Sequence, residues 1–144
     1  MRSSIWLIND EAGNYNRMSA NERLEIFASA ARTTTTASAA QTNRNFSGGY
    51  FELDITAVSG TTPTLDITVR GQPRIGAAYI LGRLPQKTAT GRDTLLLKAG
   101  AVETAAEGDY VTQGVPVPRT FDVNAVIGGT TPSFTFSVTG SLIF

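Results

Sequence analysis

The chain has 144 residues, enough for one domain that buries about two thirds of the surface its unfolded form exposes. It carries 12 Lys+Arg against 12 Asp+Glu, with no His and no Cys. These numbers exclude a Cys nucleophile, a Ser-His-Asp triad, a disulfide, a Zn site of the usual His/Cys kind and a His pH switch, and they argue against whole-protein attraction to nucleic acid or to an anionic membrane.

Residues 1–23 read as an N-terminal arm, irregular and polar except for Ile5-Trp6-Leu7-Ile8. Four apolar residues are too few for a signal-peptide core or a membrane span, so the chain is expected to be made and used in a soluble compartment. Ser19-Ala-Asn-Glu22 has the spacing of a helix cap ahead of Leu24. Against a helix, Leu24, Ile26, Ala28 and Ala30 alternate and Arg32-Thr-Thr-Thr-Thr36 is β-prone, which predicts a strand over 24–37. The folded domain is placed at 24–144.

Thr occurs 20 times, often alternating with Val, Ile, Leu or Phe, and period-two alternation of β-branched and aromatic residues marks half-buried strands. The segment 54–71 nearly recurs at 122–140, with one inserted Gly and a shared Ala-Val and Gly-Thr-Thr-Pro at matching places. Each copy reads as strand, turn, strand. Phe51, Leu53, Ile55 and Ala57 share one face, and Leu65, Ile67 and Val69 follow the turn; in the second copy Phe121, Val123 and Ala125 precede it and Phe134, Phe136 and Val138 follow. Two hairpins, each with an apolar face, predict an all-β protein: a two-sheet antiparallel β-sandwich of Greek-key or jelly-roll type with an extended N-terminal arm and a pseudo-twofold relation between the copies. Between the copies, 77–81 and 94–98 read as strands of a further hairpin joined by the polar stretch 85–93. Residues 100–118, with Glu103, Glu107 and Asp109, read as an acidic loop crossing between sheets.

The acids Glu52, Asp54 and Asp66 are the candidates for acid-base work, and the alternation puts them on an outward face, where carboxylates stay solvated. Glu107-Gly-Asp109 has oxygen ligands of the kind calcium takes, without any recognised loop spacing. No glycine-rich phosphate loop is present. No catalytic residue, cofactor or metal is therefore expected. Ten of the twelve basic residues are Arg, and Arg70, Arg74, Arg83, Lys87 and Arg92 fall in one span that would make a local basic edge; Arg is equally the residue of protein-protein contacts. Asn45-Phe-Ser47 matches the glycosylation acceptor pattern, which has meaning only in a secretory pathway.

Ala28-Ser-Ala-Ala-Arg-Thr-Thr-Thr-Thr36, Gly49-Tyr-Phe-Glu-Leu-Asp-Ile-Thr-Ala-Val58, Leu95-Leu-Leu97, Pro118-Arg-Thr-Phe-Asp-Val123 and Ser133-Phe-Thr-Phe-Ser-Val138 occur in an order that resembles a group of small virion structural proteins of tailed bacteriophages. The resemblance spans 26–143, with Phe121 where Trp is expected. It implies a non-enzymatic capsid decoration or cement protein on the outside of the head. Its partners would be the major capsid protein and further copies of itself, in a small cyclic oligomer such as a trimer, with no nucleic acid and no membrane. Ile5, Trp6, Leu7 and Ile8 are the residues expected to contact a neighbour or the capsid. The alternatives are a tail, neck or head-fibre structural protein, or a receptor- or carbohydrate-binding sandwich that would use Tyr79 or Tyr110.

Overall fold

A computed structural model of the chain describes residues 21–107 and 110–143, with the backbone alone at 105–107 and 110. Among the described residues nine strands form an all-β structure: β1 (Glu22–Arg32), β2 (Thr36–Ala37), β3 (Gln41–Thr42), β4 (Gly48–Gly71), β5 (Tyr79–Arg83), β6 (Gly91–Lys98), β7 (Thr104–Glu107), β8 (Tyr110–Gln113) and β9 (Thr120–Ile143). They belong to a single sheet ordered β1-β9-β4-β6-β8-β7, with β2 and β3 also pairing β9 and β5 also pairing β4. The sheet is mixed, because β6 and β8 run parallel.

The repeated segments are not hairpins. Each is one 24-residue strand, and β4 and β9 pair antiparallel from Gly48 opposite Ile143 to Gly71 opposite Phe121. The Gly-Thr-Thr-Pro motifs bend the strands without reversing them. At both bends the glycine has a φ of 110° (Gly60 and Gly129) and the second threonine a φ of 47° (Thr62 and Thr131), with the Thr Oγ1 donating to the preceding carbonyl at 2.8 Å. A turn motif between two alternating runs specifies a change of direction but not the partner of each run. Here each run takes its partner from the other copy, so the bends lie opposite one another and Thr61 pairs with Thr130.

The bends also interlock. A Cβ at Gly60 would stand 2.6 Å from the Thr131 carbonyl oxygen and 2.8 Å from Cα of Pro132, and one at Gly129 would meet the Thr62 oxygen at 2.6 Å and Cα of Pro63 at 2.9 Å. Each glycine thus makes room for the other copy's Thr-Pro, and the positive φ independently favours glycine there.

On either side of the bends the ribbon gains different neighbours. The first half of β4 lies between β6 and the second half of β9, which β1 flanks. The second half of β4 lies between β5 and the first half of β9, flanked by β2 and β3. The bend brings the two ends of the ribbon together. Phe51 and Phe121, from opposite ends, meet edge to face at 5.8 Å between ring centroids, and a Cβ at Gly82 on β5 would touch Leu95 and Leu97 of β6. One core results, in which Phe51, Leu53, Ile55, Leu65, Ile67, Val69, Phe121, Val123, Ala125, Phe134, Phe136 and Val138 are all buried as the alternation predicts. Ala57 is the exception: a register shift between Ile55 and Ala57 turns it outward.

Three connections differ from expectation. The strand expected over 24–37 is split into β1 and β2 around 33–35. β5 and β6 do not form a hairpin, since each pairs with a different half of β4. The expected loop 100–118 contains β7 and β8, which extend the sheet from the β6 edge; at four residues each they are too short for alternation to stand out.

Replacing Gly60 or Gly129 with Ala should cost about 1–3 kcal/mol each, as a side chain is forced into a disfavoured φ against backbone. The double variant should cost less than the sum, because both changes disturb the same pair of interlocked bends. Urea denaturation of the three variants checks this, and fully additive losses would mean that the bends are independent.

Candidate functional site

Two outward faces flank the bends, one on each half of the ribbon. On the first half, a shallow trough runs across β1, β9, β4 and β6 past Arg23, Glu25, Tyr50, Glu52 and Thr139. On the second half, an open groove of about 600 Å3 is lined by Asp66, Arg70, Ala78, Ile80, Arg83 and Val126, among others. The three candidate acids are therefore divided. Glu52 and Asp54 lie on the first face and Asp66 on the second, and each remains at least partly exposed. Asp54 meets Arg92 at 3.3 Å, and Asp66 accepts from the Gln86 amide at 2.9 Å. Among the described residues no group of three or more acids could hold a metal ion. Asp109 and the side chains of Glu107 and Tyr110 lie outside the described residues, as do Ile5, Trp6, Leu7 and Ile8.

The basic span does not form a continuous edge, because most of its charges meet acids. Arg70 and Asp122 stand opposite each other on β4 and β9 and make a two-pronged pair, with Nε to Oδ1 at 2.9 Å and Nη2 to Oδ2 at 2.6 Å. The hydrogen bonding that Arg70 donates to the Asp122 carboxylate holds the guanidinium above its usual pKa. Lys87 meets Asp93 at 2.9 Å, and Arg92 meets Asp54. Arg74 and Arg83 are left without a carboxylate partner among the described residues. Tyr79 is half exposed, but its ring covers Gly71, where a Cβ would overlap it.

Asp93 is the most buried of the described charged residues, at 1% exposure. It faces inward from β6 beside Leu95, and its Oδ2 has no hydrogen-bond partner among the described residues. Lys87 reaches it from the β5–β6 connection, whose backbone bonds Leu65 in both directions (2.8 and 2.9 Å). This ion pair therefore ties the second half of β4 to the strand that flanks the first half. The sequence does not mark it, because Asp93 sits in a polar stretch and shows its inward register only once Leu53 is its partner.

Arg32 has a role that its sequence also conceals. β1 shifts register on either side of Phe27, and the Arg32 guanidinium donates to Ala28 O at 2.8 Å, Ala30 O at 3.0 Å and Phe136 O at 2.9 Å. It also lies over the rings of Phe27 and Phe136, at 4.8 and 4.6 Å from their centroids. Burial lowers its pKa. The exposed small residues 28–31 let the side chain fold back along its own strand, which gives the Ala-Ser-Ala-Ala-Arg motif a physical reason.

Comparison of the chain with protein-family models, curated proteins and solved structures finds no match. No helix among the described residues is long and apolar enough to cross a membrane.

Lys87→Met should lower stability by about 2–4 kcal/mol, since it leaves the Asp93 carboxylate buried without a cation. Adding Asp93→Leu should recover most of the loss. Denaturant titration reads both effects; a cost below about 1 kcal/mol for Lys87→Met would mean that Asp93 is satisfied by another group.

Proposed function

We propose that the protein is a non-enzymatic structural component of a bacteriophage virion, a decoration or cement protein that binds the outer surface of the head and bridges neighbouring capsomers. The observation that carries this reading is where the resembling motifs fall. The Ala-Ser-Ala-Ala-Arg segment is in β1, the Thr-Ala-Val segment in β4, and the Ser-Phe-Thr-Phe-Ser-Val segment in β9, three strands adjacent in one sheet. The resemblance thus covers a contiguous structural unit, and its Arg32 and paired long strands have framework roles. The bent ribbon, whose ends meet at Phe51 and Phe121, fits a sandwich-like body of jelly-roll type.

Its mode of action is mass action. A protein that binds the assembled shell and not the separated subunits stabilises the shell by its binding free energy. Ile5, Trp6, Leu7 and Ile8 supply apolar anchors for contact with a neighbouring copy or with the capsid, the subunits form a small cyclic oligomer, most simply a trimer, and the major capsid protein is the partner.

The test is assembly of particles with a chain lacking residues 1–17. Heads that lose the protein, or that release DNA at a lower temperature, are the expected result. Heads of unchanged composition and heat resistance that no longer adsorb to cells would overturn the cement reading in favour of receptor binding.

A further inference from the structure

We propose that the groove on the outer face of β5, β4 and β9 receives the segment Ile5-Trp-Leu-Ile-Asn-Asp-Glu11 from the N-terminal arm of a second copy of the chain. This rests on the arm being the contact element of the proposed function, and it names where the arm goes.

The groove has the chemistry for such a segment. Ile80 and Val126, two of the few large apolar side chains that the described structure leaves exposed, at 54% and 41%, line it together with Ala78. Arg83 stands in the same lining with no carboxylate partner among the described residues, and Arg74, similarly unpaired, lies on the connection that leads into β5. The other charges there are engaged, Arg70 by Asp122 and Asp66 by Gln86. What the groove offers is apolar surface beside unpaired guanidinium. The arm offers the complement, four apolar residues followed at once by Asn9, Asp10 and Glu11. Burying Ile or Trp side chains supplies affinity, and carboxylates meeting Arg83 fix direction.

Reach and position favour a second copy. β1 starts at Glu22 opposite Leu142, whereas Val126 lies on the far side of the bend in β9. Residues 12–21 extend to at most about 35 Å, sufficient to cross to an adjacent subunit. A contact between an arm and a groove joins two different surfaces, so copies joined head to tail form a ring when the rotation between them closes, and two copies that exchange arms form a twofold dimer.

Trp6 is the only Trp, so its fluorescence reports the arm alone. With the full-length protein, the emission of Trp6 should shift to shorter wavelength as concentration rises, in step with an increase in mass by analytical ultracentrifugation. Val126→Asp and Arg83→Glu, both at exposed positions, should each move the midpoint to at least about tenfold higher concentration, the effect of 1.4 kcal/mol. Adding Asp10→Lys and Glu11→Lys to Arg83→Glu should restore it. Three results would overturn the proposal: a monomer with solvent-like Trp6 emission at all concentrations, a blue shift independent of concentration, or self-association indifferent to both groove variants. If heads lacking the arm lose the protein while the groove variants self-associate normally, this inference fails and the cement reading stands.

Discussion

The mutual fit of the two bends is the constraint on which the remaining structure depends. Gly60 and Gly129 each leave space for the backbone of the other strand's Thr-Pro, so neither bend can form in its present shape without the other. With the bends opposite one another, β4 and β9 pair through both halves and share the core between both ends of the ribbon. The strain this entails is visible in Thr62 and Thr131, β-branched residues held at positive φ, a conformation that costs on the order of 1–2 kcal/mol per residue. The cost is met twice, at equivalent positions, and each time the Thr hydroxyl bonds the preceding carbonyl.

The charged side chains follow from that geometry. Full-length pairing sets Arg70 opposite Asp122, and the bend brings the β5–β6 connection against β6, where Lys87 can reach Asp93. Arg32 donates to the carbonyls of Ala28 and Ala30 on its own strand and of Phe136 on β9. These residues connect elements of the framework, whereas Arg83, in the groove with Ile80 and Val126, has no carboxylate partner among the described residues. A framework whose polar groups hold strands in place, with a mixed apolar and basic groove on one face, suits a protein that works by binding to its neighbours.

Much of the core was legible in the sequence, because alternation depends only on which side of a strand a residue occupies. The alternate residues from Phe51, Leu65, Phe121 and Phe134 onward, to Ile55, Val69, Ala125 and Val138, are inward irrespective of which strand is their partner. Partnership was not legible. The same Gly-Thr-Thr-Pro chemistry serves a hairpin or a bend, and only the contact between the two copies distinguishes them. Ala57 escaped the alternation because a register shift intervenes, and β7 and β8 escaped because their segments are too short to display a period. Of the candidate sites, the outward position of Glu52, Asp54 and Asp66 was readable from period two, but their separation onto different faces was not, since it depends on the bend. Asp93 and Arg32 were missed for a related reason: one is buried by a strand that pairs with it from afar, and the other bonds carbonyls of two strands whose pairing no residue pattern announces.

The absence of Cys permits a direct test of strand partnership. Two cysteine pairs, Glu52→Cys with Thr139→Cys and Asp66→Cys with Val126→Cys, occupy directly opposed positions on β4 and β9 in the two halves of the ribbon. On mild oxidation of the folded monomer both pairs should form an intramolecular disulfide, identified by peptide mapping, because opposed residues bring Cβ atoms within about 4.5–5.5 Å. Thr56→Cys with Asp66→Cys should not, since both residues lie on β4, on either side of its bend. Cross-linking of that last pair, with neither of the first two, would show that each repeat folds as its own hairpin and would contradict the account.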